Sequence, residues 1–239
     1  MLAATMPVMS EPLRLQPVVP AEVRPHRAVC PHCGRPERAC LCRWIRPIAN
    51  PVEVLLLQHP LEVGQAKGSA RLLALSLANC RVRIGEWFDP AELAAWLQPG
   101  TSALLYPQTD EPQVRPVGVA FAAPVRQLVV LDATWRKSRK MLHLNPLLQT
   151  LPRLALQPTG LSAYAELRKA QRPDQLSTLE ATCLALAQLE AAGRTTAAAA
   201  ACAVESRPRY APLLTAFGGF VADQLQWRPG SECGGPPPA

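Results

Sequence analysis

Apolar and polar positions along the chain fall into short blocks whose period changes repeatedly. Residues 52–57, Val-Glu-Val-Leu-Leu-Leu, form a nearly continuous apolar run, as a strand buried on both faces does. Residues 64–80 then carry apolar side chains at helical spacing, at Leu72, Leu73, Leu75, Leu77 and Ala78. Arg-Val-Arg-Ile at 81–84 reads as a second strand. Pro90 opens a short helix that Pro99-Gly100 ends. Residues 102–107 and 126–132 are further buried strands, the second leading into a helix that starts near Thr134, and 153–157 is another strand candidate. A long helix runs from Ser177 to about Ala192 and stops at Gly193, and residues 194–227 read as mainly helical. Strand and helix alternating in this way predict an α/β domain with a mostly parallel sheet. Ligands of such sheets bind outside the carboxyl ends of the strands, which singles out Gln58 to Glu62, Tyr106 to Thr109, Asp132 to Trp135 and the polar loop before Ser177.

The ends of the chain have no such pattern. Residues 1–24 are proline-rich without apolar periodicity, and residues 228–239 read Arg-Pro-Gly-Ser-Glu-Cys-Gly-Gly-Pro-Pro-Pro-Ala; both are expected to be disordered, as an arm and a tail. Over all 239 residues, 49% are hydrophobic and 18% charged, which excludes a chain disordered throughout. The apolar runs are too short and too often interrupted for a membrane span. The N-terminus lacks a basic stretch followed by a continuous apolar one, so a cytoplasmic protein without membrane contact is expected. The net charge of +7 is concentrated in two segments, residues 1–50 and 131–172, while the rest is net acidic. That clustering favours a polyanionic partner, nucleic acid first, although a composition rich in Arg over Lys also fits mere coding bias.

Four of the eight cysteines lie close together, as Cys30-Pro-His-Cys33 and Cys40-Leu-Cys42. A C-x-x-C and a C-x-C pair supply four thiolates, a closed tetrahedral shell for structural Zn²⁺; redox thiols and ordinary buried cysteines are the alternatives. Residues 25–47 are therefore expected to form a zinc knuckle, with interspersed arginines suited to phosphates. Cys80, Cys183, Cys202 and Cys233 lack such spacing and read as core or incidental residues.

Asp132-Ala133-Thr134-Trp135 places a carboxylate, a hydroxyl and an indole on the turn leaving a buried strand. By themselves these residues are ambiguous: Asp132 is either a ligand-facing group or a turn residue, Thr134 a helix cap, and Trp135 either a contact or core. The tetrapeptide also matches the D-x-T-W signature, and the chain resembles the DTW-domain family, which includes the tRNA-uridine aminocarboxypropyltransferases. Further matches follow in the family's order: the N-terminal cysteines, His59-Pro60-Leu61-Glu62, Tyr106-Pro107, Asn145-Pro146, Arg168, and Leu176-Ser177-Thr178-Leu179-Glu180-Ala181. They span roughly residues 24–200. Where the family usually reads K-N-T-G-R, this chain has Lys67-Gly68-Ser69-Ala70-Arg71, which keeps both basic residues and a hydroxyl but loses the Asn amide.

The resemblance implies a SPOUT-like α/β domain over residues 48–227 whose C-terminal part is a trefoil knot holding S-adenosylmethionine. It implies transfer of the 3-amino-3-carboxypropyl group of that co-substrate to N3 of a uridine in tRNA, releasing methylthioadenosine. Asp132 then either takes the N3 proton or fixes geometry by hydrogen bonding, and Trp135 either stacks on the base or shields the methyl group, if it is not core. Tyr106, Pro107, Thr134, Ser177 and Thr178 are the expected co-substrate contacts, although Ser177 with Glu180 also makes a plain capping box. Lys67, Arg71, Arg136, Lys137, Arg139 and Lys140 are the expected tRNA contacts, unless the last four are only a solvated face. An RNA methyltransferase of the same fold and a non-catalytic zinc-containing RNA-binding protein are the alternative functions.

Overall fold

The computed structural model describes residues 28–65, 69–107, 124–156, 176–193 and 206–226. The predicted arm and tail, His26, Lys67, Arg168, Cys202, Cys233 and most of the Ala-rich stretch before Ser206 lie outside them. The apolar run at 52–57 becomes β1 (Glu53–Gln58). Val54 and Leu56 enter one buried cluster and Leu55 and Leu57 another, as a period of two requires when both faces are covered. β2 (Cys80–Ile84), β3 (Ser102–Leu105), β4 (Gln127–Asp132) and β5 (Arg153–Leu154) complete a five-stranded sheet in the order β2-β1-β4-β3-β5. Every pairing is parallel. β5 is shorter than the five-residue strand expected at 153–157.

Among the described residues, six α-helices cover the two faces. α1 (Ser69–Ser76), α5 (Thr178–Gly193) and α6 (Ser206–Gln226) contribute to the cluster with Val54 and Leu56. α2 (Pro90–Trp96), α3 (Trp135–Leu144) and α4 (Pro146–Gln149) contribute to the one with Leu55 and Leu57. α2 starts as its sequence demands: Asp89 Oδ1 accepts from the amides of Ala91 and Glu92 at 2.9 and 3.1 Å, and Pro90 occupies the first helical position. Thr134 does stand at the N-cap position of α3, but its side chain makes no capping hydrogen bond, contrary to expectation. α5 begins with the predicted capping box, Ser177 N donating to Glu180 Oε2 at 2.7 Å and Glu180 N to Ser177 Oγ at 3.2 Å.

Two features fix where a ligand can approach. At the amino ends of the strands, the fully buried Gln127 accepts from Ser102 Oγ at 2.6 Å and donates to Glu53 Oε1 at 3.1 Å and Trp96 O at 2.8 Å, closing that end with polar side chains. At the carboxyl ends, the chain leaves β1 toward β2 on one side and leaves β4 toward β5 on the other, so the gap between β1 and β4 is a topological switch point. Residues 28–47 dock on α6 instead of standing apart. Cys33 and Leu41 belong to the same buried cluster as Phe217 and Phe220, the Arg35 guanidinium lies 5.6 Å from the centre of the Phe220 ring, and Arg43 pairs with Asp223. Gly219 makes the docking possible, since a Cβ there would sit 2.7 Å from Trp44 Cη2.

Candidate functional site

The cysteine cluster closes through local backbone. Gly34, at φ +68°, turns the chain so that its amide reaches Cys30 O at 2.8 Å, a conformation that a side chain would strain. The four sulfurs of Cys30, Cys33, Cys40 and Cys42 all lie within 4.8 Å of one another. Cys30 and Cys42 are 3.6 Å apart and Cys33 and Cys40 3.7 Å, close to the edge of about 3.8 Å that a tetrahedron with Zn–S bonds of ~2.3 Å requires. The amides of Cys33 and His32 hold the Cys30 thiol down to about 6, whereas hydrogen bonding to Cys40 pushes Cys42 up to about 12. So crowded a sulfur set favours four thiolates only with a cation at its centre, and the donors therefore fit a metal ion. Cys80 is half-buried and Cys183 buried, and burial pushes both thiols up to about 12, away from nucleophilic use.

At the switch point, Asp132 is the last residue of β4 and only 8% exposed. Its Oδ2 accepts from Gln58 Nε2 at 2.8 Å and its Oδ1 from Thr178 Oγ1 at 2.7 Å. The three side chains come from β4, the end of β1 and the first turn of α5. Its backbone oxygen accepts from His59 N at 3.0 Å, which locks the two strand ends together. Ser69 Oγ, in the segment that departs from K-N-T-G-R, accepts from Leu179 N at 3.4 Å, so this hydroxyl holds the start of α5. Thr178 is thus placed by a capping box behind it and by Ser69 beside it.

Trp135 is not core: it is 53% exposed and stands edge-on to Tyr106, with ring centres 5.9 Å apart. Tyr106 is buried, and the Arg153 guanidinium lies 5.2 Å from the centre of its ring. Pro107 and Thr134 are exposed at the same strand ends. Of the expected RNA contacts, Arg136 and Arg139 are exposed on α3. Lys137 pairs with Glu62 at 2.7 Å and Lys140 with Glu86 at 2.8 Å, so these ammonium groups also hold neighbouring loops. Arg71 donates from Nε to Cys33 O at 3.2 Å and ties α1 to the cysteine knuckle.

Sequence reasoning missed Gln58 as the partner of Asp132 and Glu86 as the anchor of Lys140. Gln58 has a signal, as the first polar residue ending an apolar run in a parallel sheet; Glu86 has none. His59 accepts from Leu61 N through Nδ1 at 3.1 Å, which leaves its Nε2 to donate to Glu86 Oε1 at 3.1 Å. It is a buried structural contact beside the site.

A family model described as the DTW domain matches residues 27–225. The chain is 29% identical to tRNA-uridine aminocarboxypropyltransferase 2 of Macaca fascicularis over 182 residues, 73% of this chain and 59% of that protein. Its identity to the protein of the same name from Mus musculus is also 29%, over 73% of this chain and 59% of that protein. With the Drosophila melanogaster protein of that name it is 31%, over 69% of this chain and 67% of the other. The chain thus spans about three fifths of the length of the two mammalian relatives. No solved structure matches.

Proposed function

The chain belongs to the DTW-domain family, and on that footing we propose that it is a tRNA-uridine aminocarboxypropyltransferase using S-adenosylmethionine. The observation that carries this reading is the convergence on one carboxylate of three segments that hold family motifs. Asp132 of D-A-T-W is bonded by Gln58, next to His-Pro-Leu-Glu, and by Thr178 of Leu-Ser-Thr-Leu-Glu-Ala, at the sheet's switch point. A parallel sheet with β4 between β1 and β3 also supports the finer assignment of a SPOUT-like domain, of which a C-terminal trefoil knot is the proposed remainder.

The co-substrate supplies a sulfonium whose propyl carbon–sulfur bond breaks, the electron pair staying on sulfur in methylthioadenosine as uridine N3 bonds to that carbon. The protein has two tasks. It must receive the N3 proton, and it must present the propyl carbon in place of the less hindered methyl. Asp132 has the position for the first: Gln58 and Thr178 each occupy one lone pair of a carboxylate oxygen and leave the others available. Tyr106 with Trp135, Pro107, Thr134, Ser177 and Thr178 surround the same strand ends and serve the second. Arg136, Lys137, Arg139 and Lys140 on α3, with Lys67 and Arg71, meet tRNA phosphates in this reading, and Zn²⁺ occupies Cys30, Cys33, Cys40 and Cys42 as a structural ion. No described helix is long and apolar enough to cross a membrane, and a tRNA substrate fits a cytoplasmic protein.

The test is incubation with unmodified tRNA and S-adenosylmethionine, then mass spectrometry of the nucleosides and chromatography of the spent co-substrate. Aminocarboxypropyl-uridine formed in step with methylthioadenosine is the expected result. Controls without tRNA produce neither if the reaction depends on RNA. S-adenosylhomocysteine formed only with tRNA would instead make the protein a methyltransferase, and absence of co-substrate binding would make it a non-catalytic RNA-binding protein.

A further inference from the structure

Among the described residues, seven large apolar side chains are exposed, and six of them lie where the strands end or where α5 begins. Leu61 and Val63 follow β1, Ile84 and Trp87 end or follow β2, Trp135 follows β4, and Leu176 precedes α5. Trp87 is 59% exposed although the backbone on both sides of it is fixed. Gly85 N donates to Gln58 O at 3.0 Å. The Glu86 carboxylate accepts from His59 and Lys140, and its carbonyl accepts from Asn145 Nδ2 at 2.9 Å. Phe88 N donates to Asn145 Oδ1 at 2.9 Å, and the Phe88 ring is buried edge-on to Trp96. Gly85 permits that fold, because a Cβ there would stand 2.6 Å from Phe88 Cε1. Five hydrogen bonds and one buried ring thus fix the backbone on either side of an indole that itself faces solvent.

From these contacts we propose that Trp87 is a stacking platform for an unpaired tRNA base beside the target uridine. The inference rests on the tRNA reading given above. With the backbone fixed before binding, stacking has to order only the two side-chain torsions of the indole, and base stacking on an aromatic ring is strong and tolerant of sequence. Charge points to the same partner: Lys140 shares Glu86 with the loop, and Arg136 and Arg139 are exposed on the same helix. β2 lies two strands from β4, a spacing of about 10 Å, so the platform serves a flanking nucleotide and not the reacting base.

Trp87→Ala and Trp87→Phe are compared with the wild type for tRNA affinity, for S-adenosylmethionine affinity without tRNA, and for quenching of indole fluorescence by a short oligouridylate. Trp87→Ala is expected to weaken tRNA binding about tenfold and Trp87→Phe about twofold at most, with co-substrate affinity unchanged. The oligouridylate should quench the wild type and lose a large part of that effect on Trp87→Phe, which keeps the other four tryptophans. A folded Trp87→Ala protein that binds tRNA like the wild type overturns the platform while leaving the proposed activity intact. Loss of self-association in place of RNA affinity, seen by sedimentation, would make the patch an interface between copies of this chain and overturn it too. A wild type that binds neither tRNA nor the oligouridylate overturns both readings.

Discussion

The cysteine knuckle and the strand-end site are both polar clusters that a ligand would complete, yet they are assembled in opposite ways. Cys30 and Cys42 are 12 residues apart, and their closure needs only tight turns and one glycine in the left-handed region. Asp132 meets Thr178 across 46 residues and Gln58 across 74, so that site exists only after the sheet has formed and α5 has docked. Local assembly would make the knuckle depend on a bound ion; long-range assembly makes the site depend on the fold.

The largest effect expected from this difference is at the knuckle. The protein should hold one zinc per chain, and chelation or Cys33→Ser should release it, removing a binding free energy of about 10–16 kcal/mol by comparison with small zinc modules. Because Trp44 and Arg43 pack on α6, the loss should also loosen that helix while β1 and β4 remain paired. Metal analysis with hydrogen exchange across the two regions checks this, and protection that falls equally in β4 would erase the contrast. Next, Asp132→Asn should lower single-turnover transfer by about 10²–10⁴-fold without unfolding, the range for loss of a proton-transfer group. Gln58→Leu and Thr178→Val should each cost about tenfold, since each removes one charge-assisted bond that orients the carboxylate. Full activity in Asp132→Asn would assign the carboxylate to positioning alone.

Gly219→Ala probes the junction of the knuckle with α6 at intermediate size. Its Cβ would press on the Trp44 ring, and overpacking of this kind costs about 1–3 kcal/mol, readable as a lowered Tm with zinc retained. The smallest effects belong to α3. Arg136→Gln and Arg139→Gln should each reduce the salt dependence of tRNA binding by about one unit of slope, and Lys137→Gln and Lys140→Gln by less, because Glu62 and Glu86 already engage those ammonium groups. Lys140, and then His59, hold the Glu86 carboxyl below its usual range. The stabilisation from Glu86 is therefore present above the ordinary carboxylate range and is lost as the pH falls through the lowered value. The Tm difference between the wild type and Lys140→Gln should shrink in acid accordingly.

The sequence reading located β1, α2, β4 and α5 well because each carries its own marker: an apolar run, Asp89 with Pro90, a second run, and a capping box ended by Gly193. It located the four sulfurs because spacing alone sets their reach. It could not foresee that Gln58 would bond Asp132, since register between strands far apart in the chain is settled by packing of both sheet faces. Nor does a pattern of apolar positions show that Arg71 reaches Cys33 O, or that an unremarkable glycine in α6 makes room for Trp44. The roles proposed for Asp132 and Thr178 came from family resemblance, and the structure adds the contact between them. Thr134 shows the limit of local rules: it has a cap's residue type and position but makes no capping bond.

The docking of the knuckle on α6 imposes an order on synthesis. Arg43 and its partner Asp223 are separated by 180 residues, so the knuckle leaves the ribosome long before the helix that covers it. At about 5–20 residues per second, the interval is roughly 10–35 s. During it, Leu41 and Trp44 have no α6 to pack against, and an ion held by the four cysteines would order this segment at once. Early ion capture would then shorten the exposure of a nascent apolar surface and turn the first folded piece of the chain into the template for the last.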